Sequence, residues 1–142
     1  MSTWESPLKD VPKEYAKMGH PVWAEIHEYL SPHEFRFPYE MDVEFLRLLF
    51  RIRVDAGVPF RLLSDARDPE GDVGASKSAH KRRPCRAIDL KVYNSYERAR
   101  VGIAATRAGI VRLGVYPEKK KSLHIDAEDH PDNASPRWWT KY

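Results

Sequence analysis

His80, Asp89 and His124 are the residues of this chain best suited to chemistry. They lie in two short segments, Ser78-Ala79-His80-Lys81-Arg82-Arg83-Pro84-Cys85-Arg86-Ala87-Ile88-Asp89 and Ser122-Leu123-His124-Ile125-Asp126. Two imidazoles and a carboxylate make a donor set that zinc accepts, and three protein ligands leave one position of a tetrahedral ion open for water. An ion held in that way lowers the pKa of its water toward neutrality and polarises a carbonyl, so an amide bond is a natural substrate. Hydrolysis also needs a group that takes a proton from water and returns it to the leaving amine. Asp126, two residues past His124 and on the same face of an extended strand, is the first choice, with Glu128 and Glu118 behind it. The same carboxylate could instead orient an imidazole. Arg67 is placed to clamp a substrate carboxylate or a developing oxyanion.

The neighbouring reactive groups read more plainly. Cys85 is the sole cysteine, which excludes an internal disulfide and a Cys-rich zinc site, and nothing beside it marks an activated thiol. A small buried thiol is the expectation. Ser78 is expected to bond within its own loop, and His20, His27, His33 and His130 to be surface or structural. Trp138 and Trp139 are expected to cap the core, with a substrate groove as the other use for two such rings.

These side chains need strands to hold them. Arg86 to Val92 alternates so that Ala87, Asp89 and Lys91 share one face and Ile88, Leu90 and Val92 the other. Ser122 to Ile125 repeats the pattern, with Leu123 and Ile125 inward and Ser122, His124 and then Asp126 opposite. Pro59 to Ser64 and Ile110 to Tyr116 read as further strands, and Asp65 to Lys77 as a loop. Helices are expected over Pro21 to Leu30 and over Asp42 to Ala56, where Phe45, Leu48, Leu49 and Ile52 form an apolar face that Gly57 ends. Ser31-Pro32-His33-Glu34-Phe35 reads as a turn or a Ser-capped helix start. Another helix starts at Asn94, with Glu97 in the capping-box position, packs Val101, Ala104, Ala105 and Ala108, and stops at Gly109. Helices followed by strands that are interrupted by a helix describe an α+β domain.

A chain of 142 residues fits one domain with its own core. We expect an arm over 1–19 lying on a domain over 20–142, with the tail from Asp129 covering part of it. At 42% hydrophobic and 32% charged residues it should fold rather than stay disordered. The N-terminus lacks the pattern of a secretory signal and no run is long enough to span a bilayer, so a soluble protein made in the cytoplasm, and a monomer, is expected. The formal charge of +3 includes clusters at Lys81-Arg82-Arg83 and Lys119-Lys120-Lys121 that read alone as solvated loops and together could meet an anionic polymer such as a cell wall. The stacking and zinc-finger patterns of nucleic-acid binders are missing, so that partner is not expected.

The pattern Ser78-x-His80, Cys85-Arg86-Ala87-Ile88-Asp89 and Leu123-His124-Ile125-Asp126 resembles the zinc D-Ala-D-Ala carboxypeptidase family, peptidase family M15, and within it the compact bacterial and phage peptidases of peptidoglycan. Tyr29 to Phe35 resembles the opening of that branch, Leu63-Ser64-Asp65-Ala66-Arg67 its Ser-Gly-Tyr-Arg segment, and Gly74 to Ser78 the loop before the first ligand. The resemblance implies zinc on His80, Asp89 and His124, Arg67 on substrate or oxyanion, and peptidoglycan peptides as substrate at the bacterial wall, reached for example by phage-mediated release. The fold it implies is a small domain with a central antiparallel sheet flanked by helices, as in the hedgehog and D-Ala-D-Ala peptidase proteins. Two departures stand out. The family's acidic base commonly lies three residues before the last histidine, where this chain has Lys121. The family's His-x-x-Gly-x-Ala-x-Asp is two residues shorter than His80 to Asp89, and Cys85 holds the glycine position, so Lys81-Arg82-Arg83-Pro84 should bulge and the local path should differ. A wall-binding protein that keeps the fold without catalysis is the other function this sequence accommodates.

Overall fold

The computed structural model describes residues 5–65, 78–116, 122–129 and 137–140. Its centre is a five-stranded sheet of β1 (Arg61–Ser64), β2 (Ala87–Lys91), β3 (Arg112–Val115), β4 (Ser122–Asp126) and β5 (Arg137–Thr140), in the spatial order β1-β2-β4-β3-β5. The alternation expected of β2 and β4 is what builds the core: Ile88, Leu90, Leu123 and Ile125 are all buried together with Leu113 of β3. Helices flank the sheet and cover that apolar face, giving the small α+β domain that the order of elements implies.

The two long helices begin and end where their polar residues dictate. α2 (Val43–Ala56) starts at Asp42, whose carboxylate accepts from the Phe45 N–H, and ends at Gly57, whose φ of +67° is left-handed backbone that glycine adopts without strain. Between them Phe45, Leu48, Leu49 and Ile52 are buried as their spacing predicts. α3 (Ser95–Arg107) is capped by Asn94, which accepts from the Glu97 N–H, while the Glu97 carboxylate reaches back to the Tyr93 N–H. Gly109 follows at φ +92°, and a Cβ there would sit 3.1 Å from Pro7, so both conformation and space require glycine.

Two expectations are corrected. The helix expected over Pro21 to Leu30 is a single turn, α1 (Val22–Glu25), because the chain leaves helical geometry at Ile26. Turns carry Ile26 and Leu30 into the core instead, so the apolar spacing is met without a continuous helix. The sheet is not wholly antiparallel: β5, from the tail expected only to cover the domain, pairs parallel with β3. The chain leaves β4 at Asp126, opposite Arg112, and re-enters the sheet at Arg137, again opposite Arg112. Returning at the same end of the sheet makes the new edge strand parallel to its neighbour. The Ser31 segment is a short 3-10 turn, Pro32–Glu34, with proline at its first position and the Glu34 carboxylate accepting from the Ser31 N–H. Among the described residues no helix is long and apolar enough to cross a membrane.

The polar centre of the fold is the fully buried pair Arg86–Asp42, at 2.9 Å. Arg86 also donates to the carbonyls of Leu8 and Val11, and Asp42 also accepts from the Glu14 N–H. One ion pair thereby joins the entry to β2, the start of α2 and the N-terminal segment, whose Leu8 and Ala16 are part of the core. Ser6 donates to the Ala127 carbonyl and Lys13 pairs with the buried Glu128, fastening the same segment to the end of β4. Removing one partner of such a pair strands a buried charge, so Arg86→Ala should lose about 3–5 kcal/mol in urea-unfolding experiments. A loss below about 1 kcal/mol would mean that the pair is not the clamp described, since that is the scale of an exposed ion pair.

Candidate metal centre

The antiparallel register of β2 and β4 sets Asp89 directly opposite His124. The same row continues through Gly114 of β3 to Trp139 of β5 on one side and to Ser64 of β1 on the other. His80 reaches the row from outside the sheet, on a 3-10 turn, Ala79–Lys81, where the Ser78 hydroxyl accepts from the His80 N–H as expected of a loop-bonding serine. Sheet and turn therefore bring the three predicted ligands together.

Their ligand atoms converge closely. His80 Nε2 is 3.1 Å from His124 Nδ1, His124 Nδ1 is 3.0 Å from Asp89 Oδ1, and Asp89 Oδ1 is 3.4 Å from His80 Nε2. A tetrahedral ion with bonds of about 2.0–2.1 Å has ligand-to-ligand edges of about 3.3–3.4 Å, so this triangle is close to one face of such a tetrahedron.

The partners of the imidazoles decide what those atoms offer. His80 Nδ1 lies 2.7 Å from the Asp65 carbonyl and His124 Nε2 lies 2.7 Å from Asp126 Oδ2, and both oxygens accept. Each imidazole donates at that nitrogen and turns the lone pair of its other nitrogen toward Asp89. Two lone pairs and an anionic oxygen within 3.4 Å repel one another unless a cation lies among them. The donor set therefore fits zinc or a related divalent ion. A proton answers the same demand. Where a proton takes that place, hydrogen bonds with His124 and His80 outweigh the burial that pushes the Asp89 carboxyl up and hold it well below the usual carboxylate range. Burial likewise pulls the His124 imidazole down, and Asp126 and Asp89 outweigh that and raise it.

A second layer holds the ligands in place. Asp126 is fully buried; its Oδ1 accepts from Arg112 Nε at 2.8 Å and from the Glu128 N–H, and its Oδ2 accepts from His124 Nε2. It is thus bonded to the imidazole nitrogen remote from the ligand triangle. Asp65 supplies the carbonyl behind His80 while its carboxylate accepts from the Arg36 and Phe37 N–H groups. Glu128, the next acid considered, is buried and paired with Lys13. Arg67, Glu118, Lys121, His130 and the Lys119-Lys120-Lys121 cluster lie outside the described residues.

Arg112, Asp65 and Trp139 are the contributors that sequence reasoning missed. Arg112 and Asp65 carry a weak signal in hindsight, a charge inside an apolar strand and an aspartate at a strand end, while the place of Trp139 depends on the unexpected strand β5. Of the other histidines, His20 pairs with Glu14 and accepts from the Val22 N–H, and His33 bonds to the Ser31 hydroxyl. Between His80 and β2, Arg83 donates to the His80 carbonyl and pairs with Glu40. Cys85 needs no left-handed backbone, since Asp10 is the only non-glycine residue with positive φ among the described residues. Its N–H donates to the Glu40 carbonyl and its carbonyl accepts from the Asp42 N–H.

Cys85 is fully buried, and that burial pushes its thiol from 9.0 up to about 12. At pH 8 the folded chain should therefore resist a thiol reagent, and the unfolded chain should react at once. Between pH 9 and 12 the unfolded thiol ionises while the folded one keeps its proton, so this group's contribution to stability falls as pH rises. Stoichiometric labelling of native protein at pH 8 would contradict the burial. Comparison of the chain with models of known protein families, with curated proteins and with solved structures gives no match.

Proposed function

We propose that this protein is a zinc-dependent peptidase that hydrolyses amide bonds in peptidoglycan peptides. The observation that carries the reading is the convergence of His80 Nε2, Asp89 Oδ1 and His124 Nδ1 in one buried triangle, each imidazole turned lone pair inward by its outer partner. The substrate class rests on the resemblance of the ligand segments, and of Leu63 to Arg67, to the zinc D-Ala-D-Ala carboxypeptidases. Zinc bound there supplies Lewis acidity, lowering the pKa of water and polarising a carbonyl.

The chain's own residues then divide the remaining work. Asp126, held by Arg112, fixes the tautomer and orientation of His124. The Asp65 carbonyl does the same for His80. Arg67 is assigned the charge that develops on the scissile carbonyl or the carboxylate of the substrate. Because Asp126 and Glu128 are both buried and paired, Glu118, before β4 in the sequence, is our assignment for the proton shuttle. A wall-binding protein without catalysis is the second reading, favoured by the lysine at position 121.

The deciding experiment is digestion of purified peptidoglycan by the zinc-loaded protein, with a chelated control and mass spectrometry of the released fragments. Fragments with new peptide ends, absent from the chelated control, are expected, and their masses identify the bond cut. Zinc bound stoichiometrically to a protein that leaves the wall intact would favour the binder, and absence of zinc binding would overturn both metal-based readings. His80→Ala and His124→Ala should each abolish hydrolysis and weaken zinc binding by at least about 100-fold in a chelator competition. Asp126→Asn should cost about 10–100-fold in zinc affinity, the usual toll of losing a partner behind a metal-binding histidine. Glu118→Gln should bind zinc normally and slow turnover by about 100-fold or more.

A further inference from the structure

The row of the sheet that holds Asp89 and His124 also carries a large aromatic side chain, Trp139. Trp139, on the edge strand β5, lies across Gly114 of β3, where a Cβ would sit 2.6–2.8 Å from three atoms of the indole. Its ring centroid is 5.0 Å from that of His124 at an interplanar angle of 49°, and the centroids of His124 and His80 are 4.9 Å apart at 67°. The Arg112 guanidinium lies 5.9 Å from the indole centroid. Trp139 is thus in contact with the ligand His124 and with the arginine that holds Asp126. It remains partly exposed, whereas His124, Arg112 and Asp126 beneath it are buried.

We propose that Trp139 is a positioning residue of the metal centre: its indole, admitted by Gly114, fixes the His124 ring and keeps water from the Arg112–Asp126–His124 chain. An imidazole has two torsions to settle. The bond to Asp126 restrains one direction, and the ring contacts close off rotation about it. Excluding water also preserves the strength of the Arg112–Asp126 and Asp126–His124 bonds, because a charge-assisted hydrogen bond weakens as the local dielectric rises. Gly114 is part of the same device, since any side chain there would take the space of the indole. This inference rests on the zinc reading for its purpose and on ring geometry alone for its mechanism, so the two are tested separately.

The test uses the full chain with Trp139→Ala, Trp139→Phe, Gly114→Ala and the double variant Gly114→Ala/Trp139→Ala. One readout is Co2+ affinity and the visible spectrum of the Co2+ complex. The other, on metal-free protein, is NMR observation of the His124 Nε2 proton bonded to Asp126. Trp139→Ala should weaken Co2+ binding by about 10–100-fold, as other losses of outer support do, and speed exchange of the imidazole proton. Its Co2+ spectrum should change, because the imidazole no longer has one orientation. Trp139→Phe should restore most of both readouts. Gly114→Ala should reproduce the Trp139→Ala defect, and adding it to Trp139→Ala should cost nothing more, because the indole it displaces is already gone.

A Trp139→Ala protein with normal Co2+ affinity, spectrum and imidazole proton would overturn the proposal. So would a Gly114→Ala cost that is equal with and without the indole. If Trp139→Ala does not fold, Trp139→Phe and Gly114→Ala carry the same comparison. If the unaltered protein binds no Co2+, the zinc reading fails, while the imidazole proton still decides the role of Trp139.

Discussion

The constraint on which this structure depends is the register of β2 against β4. Side chains alternate along a strand with period two, so a slip of one residue would turn Asp89 and His124 into the core and Ile88, Leu90, Leu123 and Ile125 out to solvent. The core forbids that slip, because all four apolar residues are buried. The register is extended beyond the strands by the Ala127 N–H, which donates to the Arg86 carbonyl at 2.9 Å, and Arg86 is in turn held by Asp42. Folding energy and ligand geometry therefore have a common origin. What packs the hydrophobic face also sets the carboxylate opposite the imidazole.

The polar side of the domain follows a second rule, that buried charges are met by an opposite charge or, as at Asp65, by backbone N–H groups. Arg86 meets Asp42, Arg112 meets Asp126 and Lys13 meets Glu128. Among the described residues no buried side-chain nitrogen or oxygen lacks a hydrogen-bond partner. Such pairs contribute less to stability than their Coulomb attraction suggests, because desolvation offsets it, yet breaking one is costly. Here they have specific consequences. The Arg86 pair builds the N-terminal segment into the core, and the Arg112 pair holds the Asp126 carboxylate in place behind His124.

Much of this was readable in the sequence because it is local. Asp42 and Gly57 bound α2, Asn94 and Gly109 bound α3, and alternation alone places Asp89 and His124 on the polar face of their strands. What could not be read is set by contacts distant in sequence. Nothing near Arg137 announces a strand parallel to β3, and adjacent tryptophans look like a cap until the pairing sends Trp138 to one face and Trp139 to the other. That Asp126 shares a face with His124 follows from spacing, but which imidazole nitrogen it takes does not. The answer depends on Arg112, which reaches Asp126 from a different strand. The short α1 failed for a related reason: the core accepts Ile26 and Leu30 from turns as readily as from a helix.

The same division between sheet and loop separates the way His80 is placed from the way Asp89 and His124 are. Asp89 and His124 belong to paired strands and cannot shift without breaking the ladder that buries the core. His80 belongs to a one-turn element, and its place is set by short-range bonds: the Ser78 hydroxyl on its N–H, the Asp65 carbonyl on its ring, and Arg83 on its carbonyl. Residues added between His80 and β2 would therefore lengthen only the connection, whose Arg83 is tied to Glu40. An insertion on the far side of Asp89 would have no such outlet, because it would fall within or beside the ladder. The triangle of ligand atoms does not depend on that connection, since two of its corners are fixed by the register and the third by Asp65.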